Sequence, residues 1–288
     1  MHHPADRLLD RVKAVGSPTC VGLDPVLERI PEPCRAGAAS PVEGIERFCR
    51  GVIEAIAGRV PACKFQSACF ERHGPDGVAL LDRLCALAME RDLQVILDFK
   101  RGDIGISAAH YAASAAGRCD WLTANPYLGV DGLEPFIQPT ASGQPLGAFA
   151  LVRTSNPGGD AIQALRLEDG RTVAQSVADL VAQAGETSLG GSGYSALGAV
   201  VGATKAGDAV ELRRRMPRQI FLVPGFGAQG GGIEDVLACF NPDGLGALVT
   251  ASRSVIYAFE DGVGDWQVAV EAAATEFSRL LATEVGAS

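Results

Sequence analysis

Gln94-Val95-Ile96-Leu97-Asp98-Phe99-Lys100-Arg101-Gly102-Asp103-Ile104 begins as a short, β-rich apolar run and ends in charge. Three apolar residues in succession start the segment inside a core. Asp98 and Lys100, two apart at the end of a strand, point to the same face. Burying an acid and an amine there is expensive unless they pair, so packing alone has little reason to choose them. Asp103 follows where the strand has become a loop. One reading is a buried salt bridge that fixes the loop; the other is an acid, a base and an acid converging on a reacting group.

Outward from this strand the same kind of run recurs. Apolar, β-rich stretches lie at 20–24, 62–66, 94–100, 121–126, 147–155, 197–204, 220–227 and 247–253. Helix-like stretches separate them at 41–57, 77–91, 107–116, 129–136, 172–184, 207–215 and 232–239, and a last one follows at 264–282. Within 41–57 the apolar residues fall at 45, 48, 49, 52, 53 and 56, a helical period. Strand–helix alternation repeated eight times predicts an α/β fold, a (β/α)8 TIM barrel, with residues 1–288 as a single barrel domain. A doubly wound open sheet is the competitor. It calls for a Gly-rich dinucleotide turn after the first strand, and Val21-Gly22-Leu23-Asp24-Pro25 is not one. The loosest segment, 156–168, is a candidate lid over the active face or an ordinary surface insertion.

Composition narrows the functional classes. Hydrophobic residues make up 47% of the 288 and charged residues 20%, enough for a sizeable core and too apolar for global disorder. A net charge of −9 argues against nucleic acid or an anionic membrane as the main partner. An anionic ligand therefore needs a local basic pocket. No apolar run reaches the ~18 residues of a membrane span. Met1-His2-His3-Pro4, followed by Asp6 and Arg7, lacks the apolar core of a secretory signal. None of the eight cysteines forms a C-x-x-C pair, and they read as buried thiols of a cytoplasmic protein rather than zinc ligands or disulfides.

Charges at other strand ends point to the same rim. Asp24 ends the first strand, and Lys64 lies in the second, beside the strand that carries Asp98. In a sequentially wound barrel, Asp24, Lys64, Asp98 and Lys100 face one pocket. Across the barrel, Pro224-Gly225-Phe226-Gly227-Ala228-Gln229-Gly230-Gly231-Gly232 follows the seventh run and Ala251-Ser252-Arg253 ends the eighth. Glycines let backbone N–H groups approach an anion, Arg253 adds a planar charged fork, and this part of a barrel is a recurrent phosphate cradle.

These residues resemble one known family. Asp98-Phe99-Lys100-Arg101-Gly102-Asp103-Ile104 resembles the D-x-K-x-x-D motif of orotidine 5′-phosphate decarboxylases. Val21-Gly22-Leu23-Asp24-Pro25, Lys64-Phe65-Gln66, Arg153-Thr154-Ser155-Asn156-Pro157 and Pro224 to Gly231 resemble further segments of that family, in its order. The Thr-Ser-Asn-Pro stretch is similar to the longer bacterial subgroup. The resemblance implies a homodimer that removes CO₂ from orotidine 5′-monophosphate to give UMP in pyrimidine biosynthesis, with no cofactor and no metal.

It also implies residue roles. Lys100 is the fixed cation near C6 and the proton donor, and Asp98 holds it in place. Lys64 and Asp103 complete an alternating chain of charge, Asp103 reaching across the dimer interface to the partner's ribose. Asp24 and Lys64 bond ribose hydroxyls. Ser155 recognises the pyrimidine edge, Gln229 and Arg253 hold the phosphate, and Thr154 and Gly227 are further substrate-binding positions. Ser107 stands at a substrate-binding position where the family often has Thr, and Ile106 where a small residue is common. D-x-K-x-x-D alone is shared with hexulose-phosphate synthases and ketogulonate-phosphate decarboxylases, which use Mg²⁺. A noncatalytic nucleotide-binding barrel is the alternative from another class.

Overall fold

The computed structural model describes residues 2–138, 145–227, 231–262 and 264–286. Eight strands close in chain order: β1 (Thr19–Leu23), β2 (Ala62–Gln66), β3 (Gln94–Arg101), β4 (Trp121–Ala124), β5 (Gly147–Arg153), β6 (Leu197–Val201), β7 (Phe221–Pro224) and β8 (Ala247–Ala251). Every pairing is parallel, and β8 returns to β1 through Thr19, Cys20 and Val21. The open-sheet alternative is thereby excluded. Covered by helices outside and side chains inside, β1, β4, β6 and β8 are buried at every position, so they read as apolar runs rather than alternating patterns.

Alternation still decides which residues face in. Cys20, Ala62, Ile96, Trp121, Phe149, Leu222 and Leu248 fill the lower interior. Trp121 stacks on Phe149 with ring centroids 4.5 Å apart. Glycine is required beside this pair: a Cβ on Gly147 would meet the Trp121 indole, and one on Gly198 would meet Phe149. The outward-facing residues, among them Val21, Cys63, Leu97 and Val223, join the helices Pro41–Ile56, Gly74–Glu90, Val173–Gly185 and Trp266–Gly286 in the larger core. All eight cysteines are free thiols, seven of them buried.

The structure departs from the sequence reading in three places. A helix not anticipated, Pro4–Val15, closes the bottom of the barrel. Its Ala5, Leu8, Leu9 and Val12 join the lower interior cluster, and Arg7 reaches Asp120 at 3.0 Å. The signals were present in Pro4 at the first turn, the 5-8-9-12 apolar spacing and Gly16 at the C-cap with φ of 77°. Second, the stretch 129–136 is not one helix but a 3₁₀ turn, Val130–Gly132, followed by a short helix, Glu134–Ile137. Pro135 has no N–H for a continuing helix and sits instead in a new first turn. Third, several strands stop early, β4 at Ala124 and β7 at Pro224, because the chain turns outward into rim loops there.

Candidate active site

Above the Trp121–Phe149 layer the interior changes from apolar to charged. Two residues further along their strands, Ala62 gives way to Lys64, Ile96 to Asp98 and Trp121 to Thr123, still facing inward. These side chains border a cavity of about 530 Å³ at the C-terminal ends of the strands. Its walls differ. Asp24, Lys64, Asp98 and Lys100 make one side polar, whereas Leu151, Val200, Leu222 and Phe226 make the other apolar.

The charges form a chain. Lys64 Nζ lies 2.9 Å from Asp98 Oδ2 and 3.7 Å from Asp24 Oδ1, while Lys100 Nζ lies 2.6 Å from Asp98 Oδ1. Thr123 Oγ1 also donates to Asp98 Oδ1 at 2.9 Å. Asp98 and Lys64 are buried, but the Lys100 side chain is 46% exposed and faces the cavity. Burial pushes the Asp98 carboxyl up, but the charges of Lys64 and Lys100, with their hydrogen bonds, outweigh it and hold the group at about 2. Burial likewise pulls the Lys64 ammonium down, and the Asp24 and Asp98 charges overcome it, keeping its pKa above the usual lysine value. The site therefore presents a fixed carboxylate between two ammonium groups, one sealed and one accessible.

This arrangement has a pH signature. A carboxylate whose pKa is lowered by folding adds stability that is complete above its ordinary value, 3.8, and is lost as pH falls through the folded one. The unfolding free energy of the native protein relative to Asp98→Asn, followed by urea titration, is expected to shrink by about 2 kcal/mol between about pH 4 and pH 2. A difference that stays constant over that window would mean the two lysines do not hold Asp98 ionised.

The other expected site residues divide into three groups. Thr154, Ser155 and Arg253 border the cavity. Thr154 is held by Gln163, whose Oε1 accepts its N–H and whose Nε2 donates to its Oγ1, both at 2.9 Å. Gln163 belongs to the short helix Asp160–Gln163, so the first half of 156–168 is folded onto β5, and Asp160 pins it further to Arg153 and Lys205, each at 2.7 Å. Arg253 opens the single turn Arg253–Ile256. Asp103 and Ser107 do not border the cavity: Asp103 Oδ1 accepts the Ile104 N–H at 2.9 Å, and Ser107 is exposed. Gly227 lies outside the cavity wall too, its φ of 68° shaping the turn beyond β7, and Gln229 falls outside the described residues.

Sequence reasoning assigned no role to Thr123, Gln66 or Ser252, all of which border the cavity. Gln66 and Ser252 share the inward register of Lys64 and Thr250, and Thr123 is the polar residue two beyond Trp121, so parity alone could have found them. Among the described residues no three His, Cys, Asp or Glu side chains converge to hold a metal ion, and no helix is long and apolar enough to cross a membrane.

Fold and cavity together define a (β/α)8 barrel with carboxylates and lysines gathered at the strand ends, the face where enzymes of this architecture keep their active sites. The model of the orotidine 5′-phosphate decarboxylase / HUMPS family matches residues 17–262. The orotidine 5′-phosphate decarboxylase of Rhodopirellula baltica is 42% identical, over 96% of this chain and 98% of its own. That of Deinococcus radiodurans is 40% identical, over 88% and 89%. The solved structure of Leishmania donovani OMP decarboxylase aligns with a TM-score of 0.80 and 31% identity, covering 99% of this chain and 100% of that one. The chain belongs to the orotidine 5′-phosphate decarboxylase / HUMPS family.

Proposed function

We propose that this protein converts orotidine 5′-monophosphate to UMP and CO₂ without metal or organic cofactor. The observation that carries the reading is the accessible Lys100 ammonium, 2.6 Å from a carboxylate that Lys64 holds from the other side. The names of the relatives at 42% and 40% identity support the choice of substrate. When the C6–carboxylate bond breaks, its electron pair stays on C6, where no ring carbonyl can accept it directly. A cation fixed beside C6 stabilises that charge, and preorganised groups do so without reorganising during the reaction. Lys100 then gives a proton from Nζ to C6, CO₂ departs, and the amine regains its proton from solvent. Asp98 aims Lys100 at this position.

The same reading distributes the remaining roles. The apolar wall of Leu151, Val200, Leu222 and Phe226 suits one face of a planar base, with Thr154 and Ser155 at its polar edge. Asp24 and Lys64 meet the ribose, and Arg253, Gln229 and Gly227 the phosphate. Holding a group that does not react helps stabilise the transition state. Asp103 and Ser107 serve the site of a second copy in a homodimer. Supporting this, the rim beside them exposes Ile104, Ile106, Tyr127 and Leu128, with Ile106 76% and Tyr127 86% accessible. Such an apolar rim suits coverage by another protomer. A cytoplasmic enzyme of pyrimidine biosynthesis is the accompanying reading.

The test is the loss of orotidine 5′-monophosphate absorbance with EDTA-treated protein and no added cofactor. Turnover to UMP is expected. Folded protein that binds UMP yet leaves the substrate unchanged would overturn the proposal, and turnover of pentulose phosphates that needs Mg²⁺ would assign the site to a different reaction.

A further inference from the structure

Among the described residues only Asp92 and Lys100 take a positive φ without being glycine, at 58° and 49°. Asp92 lies in the turn ahead of β3, where an aspartate enters the left-handed region with local support. Lys100 lies inside β3, where that conformation is unfavourable and persists only when neighbouring groups fix it. It coincides with a slip in the sheet. The β3–β4 ladder runs Ile96 to Trp121 and Leu97 to Leu122, then jumps to Arg101 opposite Ala124. Asp98, Phe99 and Lys100 thus stand against one residue of β4, Thr123.

The Thr123 side chain bridges the slip. Its Oγ1 accepts the Lys100 N–H at 2.9 Å and donates its own proton to Asp98 Oδ1 at 2.9 Å. The directions are unambiguous, since an ionised carboxylate only accepts and an amide N–H only donates. The same Asp98 oxygen receives the Lys100 ammonium at 2.6 Å. The backbone of Lys100 and its charged end are therefore tied to one another through a single hydroxyl, which is 1% exposed. Packing needs no hydroxyl at this position: a valine would fill the same space and leave the Lys100 N–H without its acceptor.

We propose that Thr123 is a positioning residue, setting where the Lys100 ammonium stands by holding its backbone in the left-handed conformation and its carboxylate partner in register. The inference rests on the reading of Lys100 as the cation and proton donor for decarboxylation. A hydroxyl with only a structural role would affect folding and binding together. A positioning hydroxyl affects the chemical step, because small displacements of a reacting group cost rate while nucleotide contacts elsewhere survive.

The experiment compares wild type, Thr123→Val, Thr123→Ser and Thr123→Ala, with kcat expressed per site titrated by UMP so that only folded protein is counted. For Thr123→Val and Thr123→Ala the expected result is a fall in kcat of about 30- to 100-fold, the scale of leaving one buried donor unpaired beside the reacting group. KM and UMP affinity are expected to stay within about 3-fold, and Thr123→Ser, which keeps the hydroxyl, within about 5-fold of wild-type kcat. Wild-type kcat in the folded fraction of either apolar variant would overturn the inference. So would UMP affinity falling as far as kcat, or serine as impaired as valine. Failure of the underlying decarboxylase reading is told apart by the wild-type arm, since it would leave orotidine 5′-monophosphate untouched in every protein.

Discussion

Lys100→Ala is expected to lower turnover of orotidine 5′-monophosphate by about ten-thousand-fold or more, while UMP still binds. One amine is asked for two contributions, charge stabilisation at C6 and the proton, and each tenfold of rate corresponds to about 1.4 kcal/mol of transition-state stabilisation. The loss of both contributions falls on the chemical step. Under the proposed function binding draws on other groups, since the apolar wall, Thr154, Ser155 and Arg253 border the cavity apart from Lys100. The truncation is also benign for the fold, because the lysine side chain is 46% exposed and Asp98 keeps Lys64 and Thr123 as partners. A Lys100→Ala protein with near wild-type kcat would remove Lys100 from the chemistry altogether.

The second large effect concerns stability, far from the cavity. Arg213 is buried, it forms no ion pair with a carboxylate among the described residues, and its guanidinium donates to main-chain carbonyls. Nε donates to Cys239 O at 3.0 Å, Nη1 to Met216 O at 2.7 Å and Gln219 O at 3.0 Å, and Nη2 to Gly246 O at 2.9 Å. The group also lies 3.5 Å from the centroid of the Phe221 ring. Burial pulls its pKa down to about 10, which leaves it charged at neutral pH. One side chain thus ties the end of the helix Ala206–Arg215 to the turns entering β7 and β8. Arg213→Met is expected to cost about 3–5 kcal/mol, the range for stripping the partner from buried polar groups. Arg213→Lys is expected to recover only part of this, because an ammonium cannot reproduce a four-bond planar fork or its stacking on Phe221. Thermal unfolding checks it: a melting temperature for Arg213→Met within a degree or two of wild type would show that those carbonyls find other donors. Turnover per UMP-binding site is expected to be unchanged, since Arg213 does not border the cavity.

Much of the site was legible because the information is local. The period of two in a strand places Lys64 and Asp98 on the inner face whatever the rest of the chain does. An eightfold recurrence of strand and helix leaves few ways to arrange those faces other than around one axis. The helix Pro4–Val15 was equally local, with its proline start, 5-8-9-12 apolar face and glycine stop. The break at Pro135 likewise follows from one residue's missing N–H.

What the sequence by itself determined is the barrel and the convergence of Asp24, Lys64 and Asp98 on its mouth, since both follow from side-chain alternation along strands wound in order. Tertiary structure alone decided three further things. Lys100 reaches Asp98 from a left-handed backbone across a slipped ladder, rather than by the simple two-residue alternation of β3. Thr123, 23 residues away, holds that slip. Asp103 and Ser107, five and nine residues beyond Asp98, do not border the cavity that Asp98 and Lys100 line. The physical reason is the same in each case. Alternation is a property of one strand, whereas register between strands and the direction of a rim loop are set by hydrogen bonds between segments that meet only when the barrel closes.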